Sequence, residues 1–195
     1  MTNGGYDAFD HPYSYKGTSV LKNRLRTKDP DILEAFELEM TTLRADEPLP
    51  EGRFGTAHYR SVHRHLFQDV YAWAGRYRTV RTAKGGNWFC FPEHIPQQMD
   101  RLFAQLRADD LLASESFDDF LEGAAHFLAE LNAIHPFREG NGRAQLAFMH
   151  LLSVRAGHPL NLARVVPPTF LRAMIASFGV DTGLLVAALR HLRKP

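Results

Sequence analysis

The amino-acid sequence predicts an all-α fold with one small β-hairpin. Apolar residues recur at spacings of three and four along most of the chain, as they do on the buried face of a helix. A strand pattern stands out in the segment 77–91, where β-branched and aromatic residues flank a Gly-Gly pair. The chain has 195 residues, of which 45% are hydrophobic, and this suffices for the core of one domain. We expect an irregular N-terminal arm over 1–14 and a single domain over 15–195.

The helical periodicity continues through six segments in order. Asp29 and Ser116 are N-cap candidates. Pro30 and Pro92 suit the first turn of a helix, where the missing N–H group costs nothing. The predicted hairpin lies between the second and third helical segments. The segments cover residues 30–45, 56–73, 92–107, 117–134, 140–156 and 168–192, and the last is broken near 179–181.

Composition limits the class of protein and its surroundings. The net charge of +1 is not the strong basic bias of a dedicated nucleic-acid binder. No apolar run approaches the roughly 20 residues that a membrane-spanning helix needs, and the N-terminus lacks a signal-peptide pattern. Cys90 is the single cysteine, which excludes an internal disulfide. We expect a cytoplasmic protein that binds neither a membrane nor nucleic acid directly.

The stretch HPFREGNGR, residues 135–143, joins two helices through a glycine-rich loop. Pro136 disfavours the α region for the residue before it, so the first helix is expected to end at or just before His135. The second helix is expected to begin near residue 140. Its first backbone N–H groups have no partner within the helix and suit a phosphate. Gly140 and Gly142 let the backbone approach the phosphate oxygens, and Arg143 supplies a guanidinium.

Two further side chains of this stretch suggest catalysis. A histidine with a pKa near 6.5 is a natural general base, which suits His135. Glu139 beside a polyphosphate suggests a Mg²⁺ ligand, because Mg²⁺ takes one or two carboxylates together with phosphate oxygens. Each residue alone has a structural explanation: a turn, a packed histidine or a surface ion pair. Their conjunction within nine residues at a helix start favours phosphoryl or nucleotidyl transfer.

This stretch resembles the signature of the Fic family, H-x-F-x-[DE]-G-N-G-R-x-x-R, and matches it at every position up to the last. The segments YKGTSVLKNRL (15–25), HRHLFQDVYAWAG (63–75) and RTVRTAKGG (78–86) are also similar to family counterparts. The resemblance covers about residues 12–190 and assigns 15–195 to a Fic domain. It implies a helical fold in which the hairpin, here 79–91, is a flap over the active site and aligns a target segment by strand addition.

The resemblance also implies a function, that of a protein adenylyltransferase. His135 would take the proton from a Ser, Thr or Tyr hydroxyl of a target protein, and that oxygen would attack the α-phosphate of ATP. Glu139 would hold Mg²⁺, and Asn141 with the backbone of 140–142 would cradle the phosphates. The implied nucleotide-binding residues are Lys84, Gly85, Arg138, Gly140, Asn141, Gly142 and Arg143.

One position departs from the signature. The final arginine of the family motif is Leu146 in this chain. In active members that arginine binds the γ-phosphate and pairs with an inhibitory glutamate, and a leucine has neither charge nor donor. Loss of a charge-assisted phosphate contact costs on the order of 1.5–3 kcal/mol. Two interpretations stay open: a transferase that is weakened but not abolished, and a degenerate protein that binds a nucleotide or a partner with little or altered transferase activity. Arg138 and Arg155 are candidates to replace the missing arginine.

The family's inhibitory pattern, [ST]-x-x-x-E-[GN], is missing from the sequence. This is typical of stand-alone toxins whose small separate antitoxin supplies the inhibitory helix, and similar toxins modify DNA gyrase and topoisomerase IV. A death-on-curing phosphotransferase is the third alternative, and the intact Gly-Asn-Gly loop disfavours it. A zinc site at His63 and His65 is also disfavoured, because residues two apart face opposite sides of a helix.

Overall fold

The structure, a computed structural model, describes residues 12–84, 86–113, 116–179 and 181–194, together with the backbone of Asp7–Ala8. Within these residues the fold is mostly helical and carries one small antiparallel sheet, as the sequence predicts. The strands are β1 (Asp7–Ala8), β2 (Thr82–Lys84) and β3 (Asn87–Trp88). The α-helices are α1 (Pro30–Ala45), α2 (Thr56–Phe67), α3 (Ile95–Ala108), α4 (Phe117–Ile134), α5 (Asn141–Arg155), α6 (Pro167–Ala176) and α7 (Gly183–His191).

Both predicted N-caps are confirmed. The Asp29 carboxylate accepts hydrogen bonds from the backbone N–H groups of Asp31 and Ile32, at 2.9 and 3.2 Å. The Ser116 hydroxyl accepts from Asp118 and Asp119, at 3.2 and 3.4 Å. These caps satisfy N–H groups that have no partner within the helix and so define where α1 and α4 begin.

The predicted extension of the second helix to residue 73 is wrong, because α2 ends at Phe67. The backbone N–H groups of Val70 and Tyr71 both donate to the Phe67 carbonyl, at 3.0 and 2.9 Å, and close a turn there. Val70 is nevertheless fully buried and Trp73 packs against the core. Val70 and Trp73 are three residues apart and both contact the core, so the sequence pattern of this turn is the same as that of a continued helix.

Helix α4 lies at the centre of the core. Leu121, Leu128 and Leu131 are all fully buried, since spacings of seven and three along an 18-residue helix place them on one face. This helix contacts α3, α5 and α7. The C-terminal end of α4 and the N-terminal end of α5 therefore meet at a rigid position, and the motif 135–143 connects them.

The sheet is smaller than the predicted hairpin and has an additional strand. Strand β2 is central and pairs antiparallel with β3 on one side and with β1 on the other. Part of the predicted irregular arm thus adds to the hairpin, and Tyr13 belongs to the core. Since β2 is paired on both sides, strand addition to the described part of the sheet would use the outer edge of β1 or of β3. No helix among the described residues is long and apolar enough to span a bilayer.

Candidate active site

Two residues with left-handed backbone conformation mark the ends of the motif loop. His135 has φ 49° and ψ 62° and caps α4, so Pro136 does stop the helix where the sequence predicts. Gly140 has φ 79° and precedes the first residue of α5. A Cβ added at Gly140 would lie 2.2 Å from the Phe67 ring, so this position admits only glycine. A Cβ added at Gly142 would meet nothing within 4 Å, which leaves space for a ligand beside that backbone.

The His135 ring is oriented for proton transfer. Its Nδ1 lies 3.3 Å from the Asn132 carbonyl oxygen, which can only accept, so Nδ1 carries the proton and Nε2 keeps the lone pair. The ring stacks on Phe89 with centroids 3.8 Å apart. Burial, followed by the nearby Arg78 and Lys84 charges, lowers the pKa of His135 from 6.5 to about 3. The ring is therefore neutral at pH 7, although in the unliganded protein it is a weaker base than an ordinary histidine.

The buried side chain of Arg78 connects the C-terminal end of α4 to the hairpin through hydrogen bonds. Arg78 is 2% exposed and donates from its side chain to the carbonyl oxygens of His135, Val80, Cys90 and Ile134, at 2.8, 2.7, 2.6 and 3.2 Å. Its backbone N–H also donates to the Pro136 carbonyl at 2.8 Å. Because one side chain bonds both segments, the hairpin and the motif loop are held at a fixed separation.

The Asn141 side chain is turned away from the ligand space that the sequence assigned to it. It is fully buried, accepts from the Phe137 N–H at 2.9 Å and donates to the Phe137 carbonyl at 2.8 Å. Both ends of the amide are thus engaged inside the loop, which they close.

His63 stabilises the motif loop through hydrogen bonds and ring stacking, and no sequence pattern indicated this role. Its Nδ1 accepts from the Gly75 N–H and its Nε2 donates to the Glu139 carbonyl, both at 2.9 Å. Its ring stacks between Phe67 and Phe137, at 4.7 and 3.7 Å between centroids. Burial lowers the pKa of His63 to about 3, so it stays neutral. The described residues contain no cluster of three or more metal-ligating side chains, at His63 or elsewhere.

Glu139 has an environment that disfavours its charge. Burial and the neighbouring Glu37 carboxylate raise its pKa, and the Gly140 N–H, which donates to it at 2.9 Å, opposes this only in part. Its side chain is 28% exposed, so the carboxylate is not sealed from the adjoining space. A divalent cation shared with phosphate oxygens would favour the ionised form, and the carboxylate fits that role.

Arg143 is held at the first turn of α5 by residues of α1 and α2. Its Nη2 donates to Glu37 and its Nη1 donates to the Thr41 hydroxyl at 3.3 Å. The guanidinium lies 4.6 Å from the centroid of the Phe67 ring. The Glu139 carboxylate is 4.0 Å from Nη2, a longer contact than the one to Glu37. The sequence motif predicted Arg143 but gave no sign of its partner on α1.

One cavity of about 480 Å³ collects most of the predicted site. Its polar wall contains Lys84, His135, Glu139, Gly140, Gly142 and Arg143. The apolar part of the lining comes largely from α6 and the turn after it, with Phe170, Leu171, Met174, Ile175 and Phe178. A cavity lined both by charged and glycine residues and by apolar side chains suits a ligand that has phosphates and a flat ring.

Two predicted residues, Arg138 and Asn141, are not part of the lining of this cavity. Arg138 is 6% exposed and Asn141 is fully buried. Gly85 lies outside the described residues. Leu146 does line the cavity, next to Arg143, and both also line a second cavity of about 480 Å³ between α1 and α5. Leu146 therefore contributes apolar surface to both cavities.

Comparisons with known proteins agree with this geometry. A family model described as Fic/DOC family matches residues 53–153. A probable protein adenylyltransferase, y4lH of Sinorhizobium fredii, is 52% identical over 188 residues, which cover 96% of this chain and 98% of that protein. The chain belongs to the Fic/DOC family. This Fic-family chain is also 33% identical to the protein adenylyltransferase VbhT of Bartonella schoenbuchensis, over 95% of this chain and 40% of VbhT. It is an enzyme of the protein adenylyltransferase class.

Solved structures of Fic-family proteins share the fold. The BepC protein of Bartonella tribocorum, with bound AMPPNP, matches with a TM-score of 0.83 and 28% identity over 94% of this chain and 96% of that one. An N-terminal Fic domain from Bartonella quintana, with bound ADP, matches with a TM-score of 0.85 and 27% identity over 94% of each chain. The fold class that the sequence predicts is thereby confirmed.

Proposed function

We propose that this protein transfers AMP from ATP to a Ser, Thr or Tyr hydroxyl of a target protein. The observation that carries the proposal is the neutral His135 ring, oriented by the Asn132 carbonyl, in one cavity with the N-terminus of α5 and with Arg143. The target oxygen attacks the α-phosphorus and forms a new P–O bond. The bond to the bridging oxygen breaks, pyrophosphate leaves, and the hydroxyl proton passes to Nε2 of His135.

The two walls of the cavity suit the two ends of the nucleotide. The backbone N–H groups at the start of α5, together with Lys84 and Arg143, provide donors and positive charge for the phosphates. The apolar side chains of α6, with Phe170 and Met174 among them, provide a surface for the base. Bound phosphates would raise the low pKa of His135 through their negative charge and so strengthen the base when substrate is present.

Mg²⁺ is proposed as the cofactor, with Glu139 as its protein ligand. When bound, the ion would neutralise charge on the phosphates and on the leaving pyrophosphate. A bound divalent cation would offset the burial and the Glu37 charge, which together raise the pKa of Glu139, and so would favour the carboxylate form that binds it. The described residues offer no protein-only metal cluster, so the ion would share its ligands with the nucleotide.

The biological setting that we propose is a cytoplasmic toxin restrained by a small antitoxin. The support is the missing [ST]-x-x-x-E-[GN] pattern in the sequence, which such an antitoxin would supply. The proposed targets are DNA gyrase and topoisomerase IV, and they rest on the resemblance to stand-alone toxins. Each purified topoisomerase incubated with the protein and labelled ATP tests this target directly.

Leu146 supports a second candidate, a degenerate Fic protein that binds a nucleotide or a partner with little turnover. Its position in the wall beside Arg143 leaves the cavity with one charge fewer than the family signature has. Nucleotide binding without any transfer to protein would favour this candidate over the first.

Labelled ATP and a bacterial lysate distinguish the candidates. ATP labelled at the α-phosphate should label protein with wild type and not with His135→Ala. Label transferred from the γ-phosphate instead would establish kinase chemistry and contradict AMP transfer. No label from either position, with nucleotide binding retained, would establish the binding protein.

A further inference from the structure

The Arg143 guanidinium is fixed by contacts from outside the motif. Its Nη2 donates to Glu37 on α1, its Nη1 donates to the Thr41 hydroxyl at 3.3 Å, and the plane lies over Phe67 at 4.6 Å. The Arg143 side chain is 39% exposed and lines the nucleotide-sized cavity. These contacts specify both the place and the direction of a charge that would otherwise lie on a long flexible side chain.

Glu37 has an anchor of its own. Its side chain is only 14% exposed, and its second carboxylate oxygen accepts a hydrogen bond from the Tyr71 hydroxyl. Tyr71 is 2% exposed, and burial together with the Glu37 charge raises its pKa, so the hydroxyl remains a donor at neutral pH. Both carboxylate oxygens are therefore engaged. This arrangement differs from a surface ion pair, in which two mobile side chains contribute little.

We propose that Glu37 is a positioning residue that holds Arg143 for the nucleotide phosphates. The two residues are 106 positions apart in the chain, so the ion pair is a tertiary contact and no part of the signature. The expected effect of the ion pair on nucleotide binding rests on the proposed function. This ion pair matters more in this chain than in one with the full signature, because Leu146 supplies no guanidinium and Arg138 is buried away from the cavity.

The mechanism of this effect is preorganisation. With Glu37 in place, the nucleotide meets a guanidinium that is already oriented, and little side-chain freedom is lost on binding. Without the carboxylate, Arg143 samples other rotamers, and binding has to restore the productive one. We expect Glu37→Gln to weaken nucleotide binding roughly tenfold, the size of one charge-assisted contact.

Calorimetry with α,β-methylene-ATP, which cannot donate AMP, measures the effect without turnover. Glu39→Gln is the matched control, since it removes the same charge from an exposed position of the same helix. We expect Glu37→Gln to raise Kd roughly tenfold and Glu39→Gln to change it less than about twofold. In an Arg143→Gln background the effect of Glu37→Gln should fall below about twofold, because residues that act through one contact are not additive. An unchanged Kd, or the same loss in both backgrounds, would overturn the proposal.

A second measurement reads the position of Arg143 without any ligand. Side-chain NMR should show slow rotation of the Arg143 guanidinium in wild type and in Glu39→Gln, and averaged signals in Glu37→Gln. Identical Arg143 signals in all three proteins would contradict the positioning role. If wild type binds no adenine nucleotide, the proposed function fails, while the NMR comparison still decides whether Glu37 holds Arg143.

Discussion

Gly140 and Gly142 stand two residues apart in the motif, yet their surroundings differ. Gly140 has a left-handed backbone, and the Phe67 ring occupies the place of its missing Cβ at 2.2 Å. Gly142 has no atom within 4 Å of an added Cβ. The fold thus requires the first glycine, whereas no protein atom restricts the second, and we attribute the second to the proposed approach of a phosphate to the helix start.

These two glycines form a matched pair of variants. Gly140→Ala should lower the free energy of unfolding by at least about 2 kcal/mol, since the methyl group meets Phe67 and the backbone is strained. Gly142→Ala should leave that free energy unchanged or raise it by up to about 1 kcal/mol, because alanine favours the helix, while nucleotide binding weakens. Urea unfolding and calorimetry measure both. Equal stability of the two variants would contradict this account.

His63 gives a stability prediction with a defined pH window. Its pKa is about 3 in the folded protein, well below the ordinary 6.5, so as pH falls below 6.5 the unfolded chain takes up a proton that the folded chain does not. Folding stability due to His63 is therefore present above pH 6.5 and is lost toward pH 3, by about 1.4 kcal/mol per pH unit. We expect urea unfolding of His63→Gln to show a shallower pH dependence in this window. Identical slopes would refute the assigned shift.

Contacts within the motif loop could be predicted from the sequence, whereas contacts from distant helices could not. The spacing of His135, Gly140 and Arg143 within one loop was sufficient to predict their proximity. Glu37 and His63 contact the same loop from distant helices, and periodicity predicts only which face of a helix is buried, not which group it meets. The family resemblance assigned Asn141 to the phosphates, whereas the hydrogen bonds of its side chain lie within the loop.

At the scale of elements, the hairpin and α4 act as one unit through Arg78. Four carbonyl oxygens, from residues on both elements, accept hydrogen bonds from this one guanidinium. The sequence predicted the hairpin from its Gly-Gly pair but not the added strand β1, because a two-residue strand has no periodicity of its own. It also extended α2 too far, since the turn after Phe67 keeps helical spacing.

Arg78→Lys tests this connection. A lysine cannot reach the same four carbonyl groups, so several stay buried without a donor, and we expect a loss of about 3 kcal/mol in unfolding free energy. Amide exchange in β2 and β3 should accelerate relative to the core of α4. Arg76→Lys is the control, because Arg76 is exposed, and its stability should stay within about 0.5 kcal/mol of wild type. Unchanged exchange in Arg78→Lys would show that the hairpin is held by other contacts.

At the scale of the whole molecule, the helical core places polar residues from α5 and the hairpin and apolar side chains from α6 around one cavity. Leu146 lines this cavity and also the cavity between α1 and α5. The overall fold and the polar residues of the first cavity were predicted from the helix periodicity, the motif and the family resemblance. The apolar residues from α6 were not, because α6 comes after the whole of α5 in the chain and only tertiary packing brings it to the cavity.

Leu146→Arg tests whether the departure from the signature limits activity. A restored guanidinium supplies a charge-assisted phosphate contact, so we expect the rate of AMP transfer at low ATP to rise roughly ten- to a hundredfold. Leu146→Gln, which is polar but uncharged, should give a smaller gain. No increase with arginine would show that Leu146 does not limit the use of ATP.

The most direct test of the account is the transfer of α-phosphate label to protein by wild type and by His135→Ala, with nucleotide affinity measured on both. We expect His135→Ala to bind ATP within a few-fold of wild type and to lose transfer by roughly a hundredfold or more, because a general base contributes that much. Transfer from the α-phosphate that persists undiminished in His135→Ala would contradict the role given to His135.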